Sequence, residues 1–520
     1  MSRLFLAACL LSSFAVSTPA EADQTHPNIV LIYADDLGYG DVGCYHPESK
    51  VPTPHLDQFA AEGMRFTDAH SPSTVCTPSR YSVLTGRMAF RLNYRGVFTG
   101  VEGPCLIDRE RLTFPEMLQE KGYRTALFGK WHIGMTFLDR NGKPVYETSD
   151  ARGVELVKHA DLTRPIADGP LNHGFDEFFG TVCCPTTDWL YAYIDGDRIP
   201  TLPTTVRDRA KLPRHAYSED CRAGLLAPDF DLEEVDMVFL EKSQAFLKDH
   251  VDKNPNQPFF LFHSAQAVHL PSFPGDAFKG KTDAGPHGDF IFQFDHIVGE
   301  LMKTIQELGI DNNTLVVISS DNGPEVTTTV AMRRDHQHDG ARPWRGVKRD
   351  QWEGGHRVPF LVRWPGTVPA GTVSGETLCQ TDLMATFASI VGTRLPDDAA
   401  EDSFNFLPIF KGAETTASIR PYTLHQTIRL DLAIRRGPWK YLDHQGSGGN
   451  NYQKRESLKQ YALPNNAPDA SGQLYHLGKD PGETTNVYRE HPEVVKELKA
   501  LLEESKASGR SRDLSAKKRS

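Results

Sequence analysis

Apolar and polar positions follow two periods along most of this chain. Ile29-Val30-Leu31-Ile32-Tyr33 is a continuous apolar run, the pattern of a strand buried on both faces. Thr53-Pro54 opens a helical pattern, with Thr53 at the N-cap and Pro54 in the first turn. Leu56, Phe59 and Ala60 share one face of it, and Gly63 stops it. Thr113-Phe114-Pro115-Glu116 reads as a capping box for a helix ending at Gly122. Phe294, Ile297, Val298, Leu301, Ile305 and Leu308 hold a 3.6-residue spacing closed by Gly309. Across residues 27–391 such runs and helical patterns alternate, which predicts a large, mostly parallel sheet sandwiched by helices. Residues 139–170 and 202–228 are polar and irregular, and read as excursions from that sheet.

Beyond a connection at residues 395–416 the pattern changes. Short apolar segments at Tyr422–His425, Leu432–Ile434, Trp439–Leu442 and Gln473–Leu477 are separated by turns, and a helical pattern follows over residues 492–504. This predicts a smaller C-terminal antiparallel sheet plus helix. The expected organisation is a signal peptide at 1–22, a catalytic domain at 23–415, a C-terminal subdomain at 416–504 and a flexible basic tail at 505–520.

Composition narrows the class. Of 520 residues, 39% are hydrophobic, enough for a large core, so a disordered chain is excluded. The net charge of −11 leaves no general basic face for nucleic acid. Arg3, the short apolar run Leu4 to Val16 and the small residues up to Ala22 form an export signal, and no later segment is long enough for a membrane span. The expected location is therefore periplasmic or secreted, or lysosomal or extracellular in a eukaryotic host. Loss of Cys9 with the signal leaves Cys44, Cys76, Cys105, Cys183, Cys184, Cys221 and Cys379. In an oxidising compartment that odd number points to one thiol with a separate task.

Four apolar runs end in polar residues. Ile29–Ala34 leads to Asp35-Asp36, Thr125–Phe128 to Lys130 and His132, Phe259–Phe262 to His263 and His269, and Leu315–Ser320 to Asp321-Asn322. In open parallel sheets, ligands bind beyond the carboxyl ends of strands, so these clusters can converge on one edge. Three carboxylates and an amide suit a hard divalent cation, and no His/Cys spacing for zinc is present. On residue type alone, a cation site and a set of turn-capping acids stand level. Cys76-Thr77-Pro78-Ser79-Arg80 is the sharpest segment. Pro78 favours a helix start and Gly86 its end, which sets Cys76 at a helix N-terminus where the dipole favours an anion. Arg80, four residues on, shares that face. A reactive thiol beside an arginine and a plain buried cysteine both fit.

Here the sequence resembles the formylglycine-dependent sulfatases, of the alkaline phosphatase superfold. The likeness rests on Cys76-Thr77-Pro78-Ser79-Arg80 with Leu84-Thr85-Gly86-Arg87. It extends through Ala34-Asp35-Asp36, Gly129-Lys130-Trp131-His132, Ser320-Asp321-Asn322-Gly323, Arg345-Gly346-Val347-Lys348 and Glu353-Gly354-Gly355-His356-Arg357-Val358-Pro359. The resemblance implies that a separate formylglycine-generating enzyme oxidises Cys76 to an aldehyde, whose hydrate attacks the sulfur of a sulfate ester. It implies one calcium ion held by Asp35, Asp36, Asp321, Asn322 and the residue 76 side chain. It also implies that Arg80 holds the modified residue, that Lys130 and Lys348 hold sulfate oxygens, that His269 protonates the leaving oxygen and that His132 is the base for sulfate elimination.

The substrate is read as a sulfated carbohydrate or other small sulfated molecule. His336, His338 and Arg342, just before the Lys348 motif, are expected on the rim that reads the sulfated group, with His425 and Arg429 reaching in from the C-terminal subdomain. Trp189, Tyr191 and Tyr193 are candidates for ring stacking, against the commoner fate of core aromatics. The competing readings are a phosphate or phosphonate monoester hydrolase of the same superfold and a non-catalytic protein that binds sulfated glycans.

Overall fold

The computed structural model describes residues 26–514. The signal-peptide reading and the end of the tail lie outside the described residues.

The centre of the fold is a nine-stranded sheet. Its strands run in the order Thr372–Ser374, Met64–Phe66, Phe360–Arg363, Thr314–Ser320, Asn28–Ala34, Phe259–Ser264, Arg124–Lys130, Glu177–Thr181 and Ile194–Asp195. The five strands from Thr314–Ser320 to Glu177–Thr181 are mutually parallel. Those at 314–320, 28–34 and 259–264 are buried at every position, as both faces are covered. Neighbouring residues show how. Phe259 packs on Phe246 of the helix Val235–Lys253, while Phe260 packs on Phe114 of the helix Phe114–Gln119. Successive side chains on a strand point to opposite faces, so these helices lie on opposite sides of the sheet.

The register aligns the carboxyl ends of the strands. Ala34 pairs with Ser320, Tyr33 with Ser264, Ser264 with Gly129 and Lys130 with Thr181. The polar residues after each strand therefore emerge along one edge. Gly129 has φ +122°, and a Cβ there would lie 1.9 Å from the Ser264 carbonyl oxygen, so only glycine lets these two strands close up beneath Lys130.

Local chemistry explains the helix ends. Thr113 and Glu116 form the expected capping box, although the helix stops at Gln119, short of Gly122. Thr53 occupies the N-cap of Pro54–Glu62, but its hydroxyl accepts from Gly43 N and donates to Asp57 instead of capping. The periodic segment ending near Gly309 begins earlier than its apolar spacing suggests, at Gly285, and runs to Glu307. The two polar excursions carry short elements of their own, including the helix Gly153–His159 and a small sheet joining Leu190–Tyr191, Leu225–Leu226 and Thr205–Val206.

The C-terminal sheet is antiparallel, in the order Thr423–Gln426, Leu432–Arg436, Trp439–Leu442, Gln473–His476. The helix Pro492–Ser508 packs on it through Val495, Leu498 and Leu502. This helix corrects the reading of a flexible tail from residue 505. It runs four residues further, Ser511 and Arg512 donate backbone N–H groups to Glu401 O, and the Ser511 hydroxyl bonds Asp402 at 2.7 Å. Among the described residues no helix is long and apolar enough to cross a membrane. All seven described cysteines are free thiols, so the core carries the stability without cross-links.

Candidate active site

Asp35 and Asp36 leave the central strand, and Asp321 and Asn322 leave its neighbour, at the same level of the sheet. One carboxylate oxygen from each of Asp35, Asp36 and Asp321 lies within 4.8 Å of the others. Asn322 donates its amide to Asp36 Oδ1 at 2.7 Å, which leaves its Oδ1 free. That oxygen and Asp35 Oδ1 are buried with no hydrogen-bond partner. Burial pushes the Asp321 carboxyl up to about 7, with Asp35 adding to the effect. It pushes Asp36 up to about 6 against the pull of Lys348. Crowded, desolvated acids with two unsatisfied oxygens fit a hard cation, and the donor set is all oxygen.

A ring of cations surrounds these acids. Lys130 is fully buried and pairs with Asp35 Oδ2. Lys348 reaches both oxygens of Asp36, at 2.6 and 2.8 Å. Arg80 donates Nε to Asp321 at 2.9 Å and one terminal nitrogen to Ser264 Oγ at 2.7 Å. Its other terminal nitrogen is buried without a hydrogen bond, 3.8 Å from Asp35. Such a ring of cations has the charge and donors to hold an anion.

Cys76 is the first residue of the helix Cys76–Thr85, as its sequence predicts, and Gly86 ends that helix in the left-handed conformation. Burial would raise its thiol, yet a hydrogen bond with Cys184 and the nearby His132, Lys130 and Lys348 bring it well below the usual range. The side chain thus faces positive charge at a helix N-terminus.

Two histidines complete the centre. His132 Nε2 lies 2.9 Å from the Phe98 carbonyl, which can only accept, so Nε2 carries the proton and the neutral ring turns a bare Nδ1 inward. His269 Nδ1 likewise donates to the Leu270 carbonyl, and its Nε2 faces Asp36 at 3.7 Å. Burial lowers both rings, and Lys348 and Lys130 lower His269 further. His132 and Asp36 hold φ near +60° without being glycine, a sign of backbone strain at this edge.

Six of the residues expected to act in catalysis, Cys76, Arg80, Lys130, His132, His269 and Lys348, therefore converge with the four expected oxygen ligands. The three rim candidates do not join them. His338 is buried and held by Asp41 Oδ1 at 2.7 Å and the Lys50 N–H, so it braces a loop. His336 bonds the Asp283 carbonyl, and Arg342 is largely exposed beside Asp339. His263 points away from the edge, to Ser243 Oγ at 2.8 Å. Tyr191 and Tyr193 are core residues, packed with Phe230. His425 is fully buried, stacked on His356 at 3.8 Å between ring centres. His356 and His70 there form a chain of hydrogen bonds from Lys440 to Asp68, each step about 3 Å. That chain joins the C-terminal sheet to the larger unit rather than reaching a substrate.

Two participants escaped the sequence reading. Cys184 lies just past the fifth parallel strand, 3.7 Å from His132 Nδ1 and 3.6 Å from His269 Nε2. The run Glu177–Thr181 ahead of it is the signal that a fifth strand tip reaches the same edge. Asp236, in the first turn of the helix Val235–Lys253, accepts the backbone N–H groups of Gln266 and Ala267 at 2.7 and 3.0 Å and so anchors the loop that carries His269.

Comparison with known proteins agrees with this geometry. Residues 27–393 match the family model described as Sulfatase. The chain is 32% identical to an N-acetylgalactosamine-6-O-sulfatase of Bacteroides thetaiotaomicron, over 92% of this chain and 93% of that one. It is 33% identical to human (Homo sapiens) arylsulfatase A, over 95% and 89%. A solved structure from work on glycosaminoglycan metabolism by Bacteroides thetaiotaomicron superposes with TM-score 0.78 at 30% identity, covering 93% of this chain and all of that one.

Proposed function

Since the chain belongs to the sulfatase family and is a sulfuric ester hydrolase, we propose that it removes sulfate from a sulfated carbohydrate, using Cys76 converted to formylglycine and one calcium ion. The observation that carries this is the convergence of Cys76 with three buried acids, three cations and two imidazoles at one sheet edge. The relatives that act on 6-sulfated N-acetylgalactosamine support that sugar as the first substrate to test. Asp35, Asp36, Asp321, Asn322 and the residue 76 side chain would hold the ion, which when bound supplies positive charge that polarises an oxygen on residue 76. The aldehyde, made by a separate maturation enzyme, offers in its hydrated form two hydroxyls, one to attack sulfur and one to help expel sulfate, whereas a serine in that place attacks but does not release its sulfate this way.

The chain's own residues do the rest. Lys130 and Lys348 take the non-bridging sulfate oxygens and neutralise charge that shifts as the ester bond breaks. Arg80 fixes residue 76 through its free terminal nitrogen and excludes water from the acids. His269 Nε2 delivers a proton to the leaving alkoxide, and the anionic ester offsets the burial and the two lysines that together hold this ring neutral. His132 Nδ1, kept bare by the Phe98 carbonyl, accepts the proton released when sulfate departs. Export through the N-terminal signal places the enzyme outside the cytoplasm, where sulfated glycans are met.

Two measurements test the proposal. Mass spectrometry of the peptide containing residue 76 is expected to show loss of the thiol and gain of the aldehyde or its hydrate. Matched nitrophenyl sulfate and phosphate esters are expected to give faster turnover of the sulfate. An unmodified, fully active Cys76, or a preference for phosphate, contradicts the proposal.

A further inference from the structure

A second cluster of ligand-type side chains shares no residue with the reaction centre. Cys105 Sγ stands 3.5 Å from His173 Nε2, and Asp168 Oδ1 stands 2.9 Å from the same nitrogen. The three atoms all lie within 4.8 Å of one another. Cys105 and His173 are buried, and Asp168 is half-buried. Their backbone is fixed. Leu106 N donates to the Ile133 carbonyl at 3.0 Å, and Ala167 and Asp168 exchange two 2.9 Å bonds with Thr136, so both segments hang on residues 133–136, directly after His132. The His173 carbonyl accepts from Thr113 Oγ1 at 3.0 Å, and the Trp131 ring lies nearly parallel to the imidazole. Asp168 turns its other oxygen toward Arg109, 3.8 Å away, which leaves Oδ1 facing inward.

This arrangement does not suit a thiol–imidazole–acid relay, in which thiol and acid take opposite ring nitrogens. Here both converge on Nε2, while Nδ1 is buried with no hydrogen-bond partner. Nε2 carries at most one proton, and one proton cannot serve both the carboxylate and the sulfur. A cation between the three atoms satisfies all of them at once. We propose that Cys105, Asp168 and His173 form a zinc site, with water as the fourth ligand on the half-exposed Asp168 side. Thiolate, imidazole and carboxylate are donors that zinc takes, whereas the all-oxygen set at Asp35, Asp36, Asp321 and Asn322 suits calcium, so the two sites select different ions. On uptake the Cys105 thiol gives its proton to solvent, and the imidazole proton moves from Nε2 to Nδ1. Nδ1 lacks a partner in either tautomer, so that shift strands no further group. Cys105 and His173 are 68 residues apart in the chain, which is why no zinc spacing shows in the sequence. The bound ion ties the two segments together around residues 133–136 and so braces the loop of His132, whatever ester the reaction centre cleaves.

The test uses the full mature chain, loaded with calcium, stripped of transition metals and titrated with cobalt(II). The expected result is a near-ultraviolet thiolate-to-cobalt charge-transfer band together with the visible bands of tetrahedral cobalt, complete at one equivalent and lost when zinc is added. C105S loses the charge-transfer band. C184S, which removes the thiol beside His132 and His269, keeps it. Crystals of the wild-type chain grown with one equivalent of zinc should show an anomalous peak at the zinc edge bounded by Cys105, Asp168 and His173, a readout that depends on no variant folding. No thiolate band in the wild-type chain, a band that survives C105S, or a zinc peak elsewhere overturns the proposal.

Discussion

Replacing Asp236 with alanine should cripple catalysis from outside the reaction centre. The Asp236 carboxylate is buried and accepts two backbone N–H groups, Gln266 at 2.7 Å and Ala267 at 3.0 Å, three and two residues before His269. D236A leaves both donors buried and unpaired, at about 1–3 kcal/mol each, so the loop loses about 2–6 kcal/mol of support. If about 2.7 kcal/mol of this falls on the placement of the His269 ring, turnover drops by about 100-fold. Burial also pushes the Asp236 carboxyl up to about 7, so D236N, which keeps an acceptor oxygen, should retain far more activity. Steady-state hydrolysis of nitrophenyl sulfate by aldehyde-bearing protein gives the rate, and urea unfolding gives the stability. A D236A enzyme within twofold of wild type in kcat, with unfolding changed by less than about 0.5 kcal/mol, would refute the reasoning, since unpaired buried amides have a real energetic cost.

Lys440, fully buried, pairs with Glu353 at 2.9 Å across the junction with the larger unit and with Glu483 at 3.0 Å within the C-terminal subdomain, so K440M should destabilise by about 3–5 kcal/mol in urea titrations. K440M/E483Q should cost less than K440M alone, and a simple sum of the two single effects would count against the pairing. Although burial alone would raise Glu325, its partners Arg349 and Lys348 hold its carboxyl down to about 2, well below the usual 4.5. Its folded pKa is depressed, so its contribution is complete above pH 4.5 and is lost as pH falls toward 2; E325Q should flatten the stability profile over that window, which acid titration followed by circular dichroism can check. Removal of divalent ions with a chelator should abolish turnover, and calcium should restore it; activity unchanged by exhaustive chelation would defeat the role given to Asp35, Asp36, Asp321 and Asn322.

The strand tips were legible because buried parallel strands are mostly apolar, so polar residues that follow the runs mark the ligand edge, His263 excepted, which lies inside its strand and bonds Ser243 instead. Asp35, Lys130 and Asp321 are found this way from sequence alone, and the shared register in the sheet then brings them together. Cys184 and Asp236 were not legible, because their roles arise from contacts across 30 to 85 residues of chain that no local period encodes. The same reason misdirected the rim reading. His338 and His425 look like exposed polar residues on loops or strands, but each is buried against a partner distant in sequence, Asp41 for one and His70 with His356 for the other. The tail was misjudged because its Ser, Lys and Arg composition suggests solvent, while Ser511 and Arg512 find Glu401 and Asp402 waiting on the body of the fold.

Sulfate release from a 6-sulfated N-acetylgalactosamine oligosaccharide, measured by ion chromatography for the matured chain beside C76A, tests the reaction centre most directly. The account predicts stoichiometric sulfate from the matured enzyme and none above background from C76A. Equal release by both proteins would show that ester cleavage does not pass through residue 76.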